Sequence, residues 1–398
     1  MLRRAFVLLA GTLGLAACQP PAAGQYPGSG YGPSTGAPSL SRNDAGPPSA
    51  AKGDQNPIAI LLPLSGRMAD IGRPMLRGAQ LALSVPGSPT LEIKDTSGTP
   101  DGAAEAAREA IADGAKMILG PLTSTETAQV AVVARQAGVP VLAFTNDQAQ
   151  SQPGVWTLGI TPGQQVRRLW GMARETGHMP IAAMLPDTDI GKAMADELSR
   201  IASVDGQPPP FVRMNGPGAE NITAAVSEMV AAAGGVDQPL PYGAILLGST
   251  GSDLRDFAKA FADAHIDRSK IQILGPALWV DPDSGSAAMV GAWFAMPDPD
   301  ARRDFTANYL AAYKAPASPL ADLANDGAAI ARVLASQGRL NSSGLVQPTG
   351  FNGVDGWFAL LPDGQVRRGL AVFRVERPRA EKVSDAPAGP GAARPPGG

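Results

Sequence analysis

Ser124 and Thr125 are the side chains whose type and position best suit molecular recognition. They follow the short apolar run Lys116-Met117-Ile118-Leu119 and open a stretch with helical spacing, Ser124 to Gln136. A helix start of that kind presents free backbone N–H groups and the positive end of the helix dipole, which favour a carboxylate or another anion. The same residues serve equally well as a plain helix cap, with their hydroxyls turned to the backbone. Groups for covalent or redox chemistry are scarce. Cys18 is the only cysteine in 398 residues, and the two histidines, His178 and His265, stand far apart with no HExxH-like run. A disulfide and a histidine metal site are therefore not expected, and no cofactor is implied. The sequence contains no GxGxxG dinucleotide loop. Gly191-Lys192 is followed by Ala193 and lacks the upstream glycine of a phosphate loop, and Gly248-Ser249-Thr250-Gly251 has the wrong spacing for a GxSxG elbow. A non-catalytic binding or interaction protein is expected.

The ends of the chain carry a different chemistry. Arg3 and Arg4 precede an apolar run from Ala5 to Ala16. A short basic region followed by about a dozen apolar residues fits a secretory signal and is too short to span a bilayer. The run closes Leu15-Ala16-Ala17-Cys18, which resembles the lipobox of bacterial lipoproteins. That resemblance implies a signal peptide over 1–17 and a mature chain anchored to the membrane through lipidated Cys18. The alternative is an ordinary cysteine near a signal peptide. In the same family an Asp after the cysteine favours inner-membrane retention. Gln19 stands there instead, which implies the periplasmic face of the outer membrane. Residues 18–56 are rich in Pro, Gly, Ser and Ala and are expected to be a disordered linker, as is a tail over 379–398.

The formal net charge of −3 comes without any basic block, so nucleic acid is not an expected partner. Hydrophobic residues make up 44% of the chain, enough for a globular body. The body, 57–378, is too long for a typical single core, so two lobes are expected.

Short apolar runs alternate with amphipathic stretches along that body. Ile58 to Leu62, Leu91 to Lys94, Lys116 to Leu119 and Val139 to Ala143 read as strands. Gly72 to Leu83, Asp101 to Ile111 (with Asp101 as its cap), Ser124 to Gln136 and Pro162 to Glu175 read as helices. The pattern then repeats through strands at Ile181 to Leu185, Pro210 to Met214, Ala244 to Leu247 and Ile271 to Leu274. The helices between them are Gly191 to Ile201, Ile222 to Ala232 and Ser252 to Ala264. This order implies an α/β fold of two doubly wound parallel-sheet lobes, with ligands beyond the carboxyl ends of the strands, around a shared cleft.

Several loops resemble those of Leu/Ile/Val-binding proteins. These are Leu62-Pro63-Leu64-Ser65-Gly66, Asp95-Thr96-Ser97-Gly98, Gly120-Pro121-Leu122-Thr123-Ser124-Thr125, Gly138-Val139-Pro140-Val141, and Phe351-Asn352-Gly353-Val354-Asp355-Gly356 with Leu370 to Phe373. The ordered set spans about 57–375 and implies the type I periplasmic-binding-protein fold, whose chain crosses between lobes three times. Lobe one is then expected over 57–177 and 295–350, and lobe two over 178–294 and 351–378. The resemblance also matches Ser124 to the family's ligand-binding serine, with Thr125, Thr145, Asn146 and Ser65 as further candidates for a small polar ligand. Departures accompany these matches. Ile71, Ile190 and Ser249-Thr250-Gly251 stand where the family places aromatics. The acid that often meets an ammonium group is missing from Gly275-Pro276-Ala277-Leu278-Trp279, and Asp187 and Asp189 are candidates to replace it, or else a solvated turn and cap.

Lipobox, linker and altered ligand loops together resemble penicillin-binding-protein activators, outer-membrane lipoproteins that stimulate a peptidoglycan synthase. The well-studied members carry an additional helical repeat domain that is not seen here. The alternative is the solute-binding component of an ABC transporter for an amino acid or related small solute.

Overall fold

The computed structural model describes residues 36–41, 57–235 and 238–390. The expected signal peptide, Cys18 and most of the linker lie outside the described residues.

The first lobe begins with β1 (Ile58–Leu62), α1 (Ala69–Leu83), β2 (Leu91–Asp95), α2 (Pro100–Ala112), β3 (Ile118–Leu119), α3 (Ser124–Ala137), β4 (Val141–Ala143) and β5 (Val155–Thr157). Its sheet runs β2-β1-β3-β4-β5, every pair parallel. Side chains alternate across a strand, and β1 shows why both faces must be covered. Ile58, Ile60 and Leu62 enter one core with Met75 and Ala79 of α1. Ala59 and Leu61 enter another with the alanines of α2 and with Val130 and Ala134 of α3. The cap of α2 is Thr99, which accepts a hydrogen bond from Gly102 N, and not Asp101 as expected. Strand β5 carried no signal strong enough to predict it.

The second lobe holds α4 (Pro162–Glu175), β6 (Ile181–Pro186), α5 (Asp189–Val204), β7 (Val212–Asn215), α6 (Ala219–Ala232), β8 (Ala244–Leu247), α7 (Ser252–Asp263), β9 (Gln272–Gly275) and β10 (Trp293–Met296). The chain then forms α8 (Arg303–Tyr313), α9 (Ala321–Ser336) and α10 (Ser342–Leu345), followed by β11 (Phe351–Gly353), β12 (Gly356–Leu360), β13 (Val366–Arg368), β14 (Ala371–Arg374) and β15 (Glu381–Ser384). The second sheet runs β15-β14-β10-β9-β8-β6-β7, with β14 and β15 antiparallel to their neighbours.

Three crossings are present, but packing moves each boundary. Helix α4 belongs to the second lobe, since Val166, Leu169, Trp170 and Ala173 bury against Ile181, Leu185 and Leu198. The first crossing therefore follows β5, not residue 177. The return follows Met296, because β10 stays paired in the second sheet. The third comes near Gly369 instead of 351. Strands β11, β12 and β13 form their own antiparallel sheet, whose Phe351, Phe358, Leu360 and Val366 pack into the first lobe's core.

The expected linker and tail also shrink. Ser39 pairs in parallel with Asn352, and Leu40 is buried in the first lobe's core. Beyond residue 379, β15 pairs with β14, Lys382 Nζ lies 2.7 Å from Asp298 Oδ2, and Ala386 is buried. Their Pro- and Ala-rich surroundings hid these short docked pieces. Among the described residues no helix is long and apolar enough to cross a membrane.

Candidate functional site

Beyond β3 the chain turns at Gly120, whose φ is +89° and whose added Cβ would lie 2.3 Å from the Leu61 carbonyl oxygen. Glycine is required there, and it holds the loop against β1 so that α3 starts at the sheet's carboxyl edge. The cap of α3 is Thr123, not Ser124. Thr123 Oγ1 accepts from Glu126 N at 3.3 Å, and Glu126 Oε2 accepts from Thr123 N at 3.0 Å. Thr96 Oγ1 donates to the remaining Glu126 oxygen at 2.6 Å. With capping done by this closed box, the half-buried Ser124 is not needed as the helix cap. Thr125 is exposed, its hydroxyl 3.3 Å from that of Thr123.

Ser124 lines a cavity of about 700 Å³ between the lobes, together with Thr145 and Asn146 from the loop after β4. Thr145 is buried and its hydroxyl accepts from Asp147 N at 3.1 Å. Phe144 and Leu122 supply the apolar part of this wall, and Ala277, Val280 and Met296 face it from the second lobe. A second chamber of about 650 Å³ shares Ser124, Asn146 and Asp147 and is walled by α5, including Asp189, Lys192 and Arg200. Glu197 is buried there. Burial alone would raise its carboxyl, but Arg200 and Arg167, each 2.7 Å away, hold it below the ordinary range.

The other predicted residues lie outside the larger chamber. Ser65 is exposed on the loop after β1, with its amide donating to Asp95 Oδ1 and its hydroxyl to Ser97. Asp187 is exposed and pairs with Lys192 at 3.2 Å. Asp189 sits in the first turn of α5, whose cap is Thr188. Among the described residues the second lobe gives the larger chamber no aromatic wall. Trp279 is 2% exposed, packs over Gly275 and donates from Nε1 to the Ser249 carbonyl at 3.0 Å, inside its own lobe.

A charged cluster in the first chamber escaped the sequence reading. Arg302 Nη2 lies 2.9 Å from Asp322 Oδ2, and Arg302 Nε lies 3.5 Å from Asp355 Oδ1. Both carboxyls are buried and all three side chains line the cavity. Burial first, and then the charge of Asp355, hold the Asp322 carboxyl well above the usual range, with Arg302 opposing. One turn on, burial pushes Asp326 up to about 7 despite the bond it accepts from Val354 N. The available signal was a pair of acids four apart inside the Ala-rich, mostly apolar Ala321-to-Leu334 stretch.

The family model for periplasmic binding proteins matches residues 56–381. The chain belongs to the periplasmic binding protein family. Proteins of this family bind small ligands in the cleft between their lobes, where Ser124 and Thr145 lie here. Among solved structures, a Rhodospirillum rubrum protein ascribed to branched-chain amino acid ABC transport superposes with a TM-score of 0.68 at 19% identity, covering 82% of this chain and 99% of its own. A solute-binding protein of an ABC transporter from Rhodopseudomonas palustris, in complex with 3,4-dihydroxybenzoic acid, gives 0.54 at 18% identity, covering 85% and 98%. The leucine-binding protein LivK of Thermotoga maritima gives 0.55 at 17% identity, covering 83% and 98%. At such identities the likeness shows the fold alone. No curated protein matches significantly.

Proposed function

We propose that this protein is the solute-binding component of an ABC transporter and holds a small amphiphilic solute in the interlobe cleft. The observation that carries this reading is the chamber of about 700 Å³, which joins apolar side chains to the hydroxyls of Ser124 and Thr145 beside the start of α3. Structural neighbours with leucine or aromatic acids in their names support the same class of ligand. Cys18 would tether the mature chain to a membrane. The regulator of peptidoglycan synthesis becomes the second reading. What favours it is the Leu15-Ala16-Ala17-Cys18-Gln19 run, which suits the outer membrane.

A thermal-shift series with amino acids and aromatic carboxylates tests the first reading. A ligand present at a hundred times its Kd stabilises by about 2.7 kcal/mol, which reads as a rise of several degrees. A flat series, with a peptidoglycan synthase captured by the lipidated protein, reverses the order of the two readings. Cys18→Ser is expected to release the protein from membranes. Recovery of the native protein unacylated would contradict the anchor.

A further inference from the structure

We infer that the strap 36–41 clamps the membrane tether to the first lobe, so that the body's reach from the membrane is set by residues 18–36 and not by the whole segment before β1. The inference rests on the reading of Cys18 as the anchor and is independent of what the cleft holds.

Three features of the contact carry it. The first is backbone pairing. The strap runs parallel to β11, with the Pro38 carbonyl accepting from Asn352 N at 3.1 Å and Leu40 N donating to the Asn352 carbonyl at 2.9 Å. Strand β11 is an edge of the three-stranded sheet β11-β12-β13. An open edge presents unpaired N–H and C=O groups, and the strap covers this one at Asn352. The second is Leu40, which is 4% exposed and enters the core that holds Leu334 and Phe351. Between Gln19 and Asn56 it is the only Leu, Ile, Val, Met, Phe or Trp. The segment thus carries a single large aliphatic side chain, and the first lobe has a place for it. The third is Arg332, buried on α9, whose Nη2 donates to the carbonyls of Leu40 at 3.2 Å and Ser41 at 3.4 Å. A buried guanidinium needs acceptors, and the strap's carbonyls supply them.

The consequence is one of length. A fully extended chain spans at most about 3.6 Å per residue, so Cys18 could stand about 140 Å from Pro57 but only about 65 Å from Gly36. Docking the strap halves the longest reach and removes residues 42–56 from the tether, since both ends of that stretch are then fixed to one lobe. The body stays beside whichever membrane holds Cys18, and release of the strap roughly doubles the distance at which it can meet a partner.

Two measurements on the full-length lipidated protein in phospholipid vesicles test this. Hydrogen exchange reads docking directly: the Leu40 amide is expected to exchange about tenfold or more slower than in the unfolded chain, and to lose that protection in Leu40→Asp while β1 keeps its own. Energy transfer reads reach, from a dye on Ser343→Cys, exposed on α10, to an acceptor lipid. Acylation of Cys18 leaves the introduced thiol as the only free one. Two deletions of equal length are compared. Removing residues 20–25 is expected to raise transfer, and removing residues 45–50 to leave it unchanged. In Leu40→Asp, transfer should fall and the two deletions should act alike. Equal effects of the two deletions in the wild-type background, or unprotected exchange at Leu40, overturn the clamp and leave the anchor standing. A mature protein without acyl chains, recovered free of the vesicles, overturns the anchor and the tether with it. The wild-type exchange measurement needs no variant to fold.

Discussion

Ser124 illustrates how one side chain's role depends on its neighbour. A serine at the start of a helix is ordinarily a cap, yet Thr123 and Glu126 already close the box at α3. Thr123→Ala is expected to cost about 1–2 kcal/mol of stability, read by denaturant unfolding, whereas Ser124→Ala should cost little stability and much affinity. Equal stability losses would contradict the division of roles. The buried acids add a pH signature. Asp326 is raised from 3.8 to about 7 by burial. Between those values the folded state keeps a proton that the unfolded chain has released, so stability falls as pH rises through the window. The window is worth on the order of 4 kcal/mol, and Asp322 acts in the same direction. Asp326→Asn retains an acceptor for Val354 N and should flatten the slope. Unfolding curves at pH 5 and pH 7.5 that change equally in both proteins would exclude this source.

At the scale of elements, what the sequence made legible was local. Ile58–Leu62, Ala244–Leu247 and Pro162–Glu175 are predicted with their observed bounds, because a buried parallel strand or a capped amphipathic helix declares itself in a few consecutive residues. Lobe membership depends on which surface an element packs against, and α4 and β11 were misplaced for that reason. The acid cluster was hidden likewise, since Asp322 and Asp355 meet Arg302 only after the chain returns to the first lobe. Strand β15 is the sharpest case. Its four residues sit in a Pro-rich context, yet Arg168 donates to the Ser384 hydroxyl and Lys382 pairs with Asp298. Truncation after residue 378 is expected to lower the melting temperature by several degrees, and truncation after residue 390 to leave it unchanged. Identical melts for both truncations would return β15 to the tail.

The whole molecule places two sheet edges around one cleft, joined by three short crossings near residues 160, 297 and 369. Under the proposed function, binding energy would be spent on bringing Ala277, Val280 and Met296 toward Ser124 and Thr145, so ligand and closure should appear together. The central claim is that the cleft holds a small solute through these hydroxyls. Native mass spectrometry of the protein purified from its own host, alongside the Ser124→Ala/Thr145→Ala double variant, tests it most directly. The account predicts a small molecule bound one to one in the wild type and lost from the double variant, with stability lowered by no more than about 2 kcal/mol for the two hydroxyls. An undiminished adduct in the double variant would contradict it.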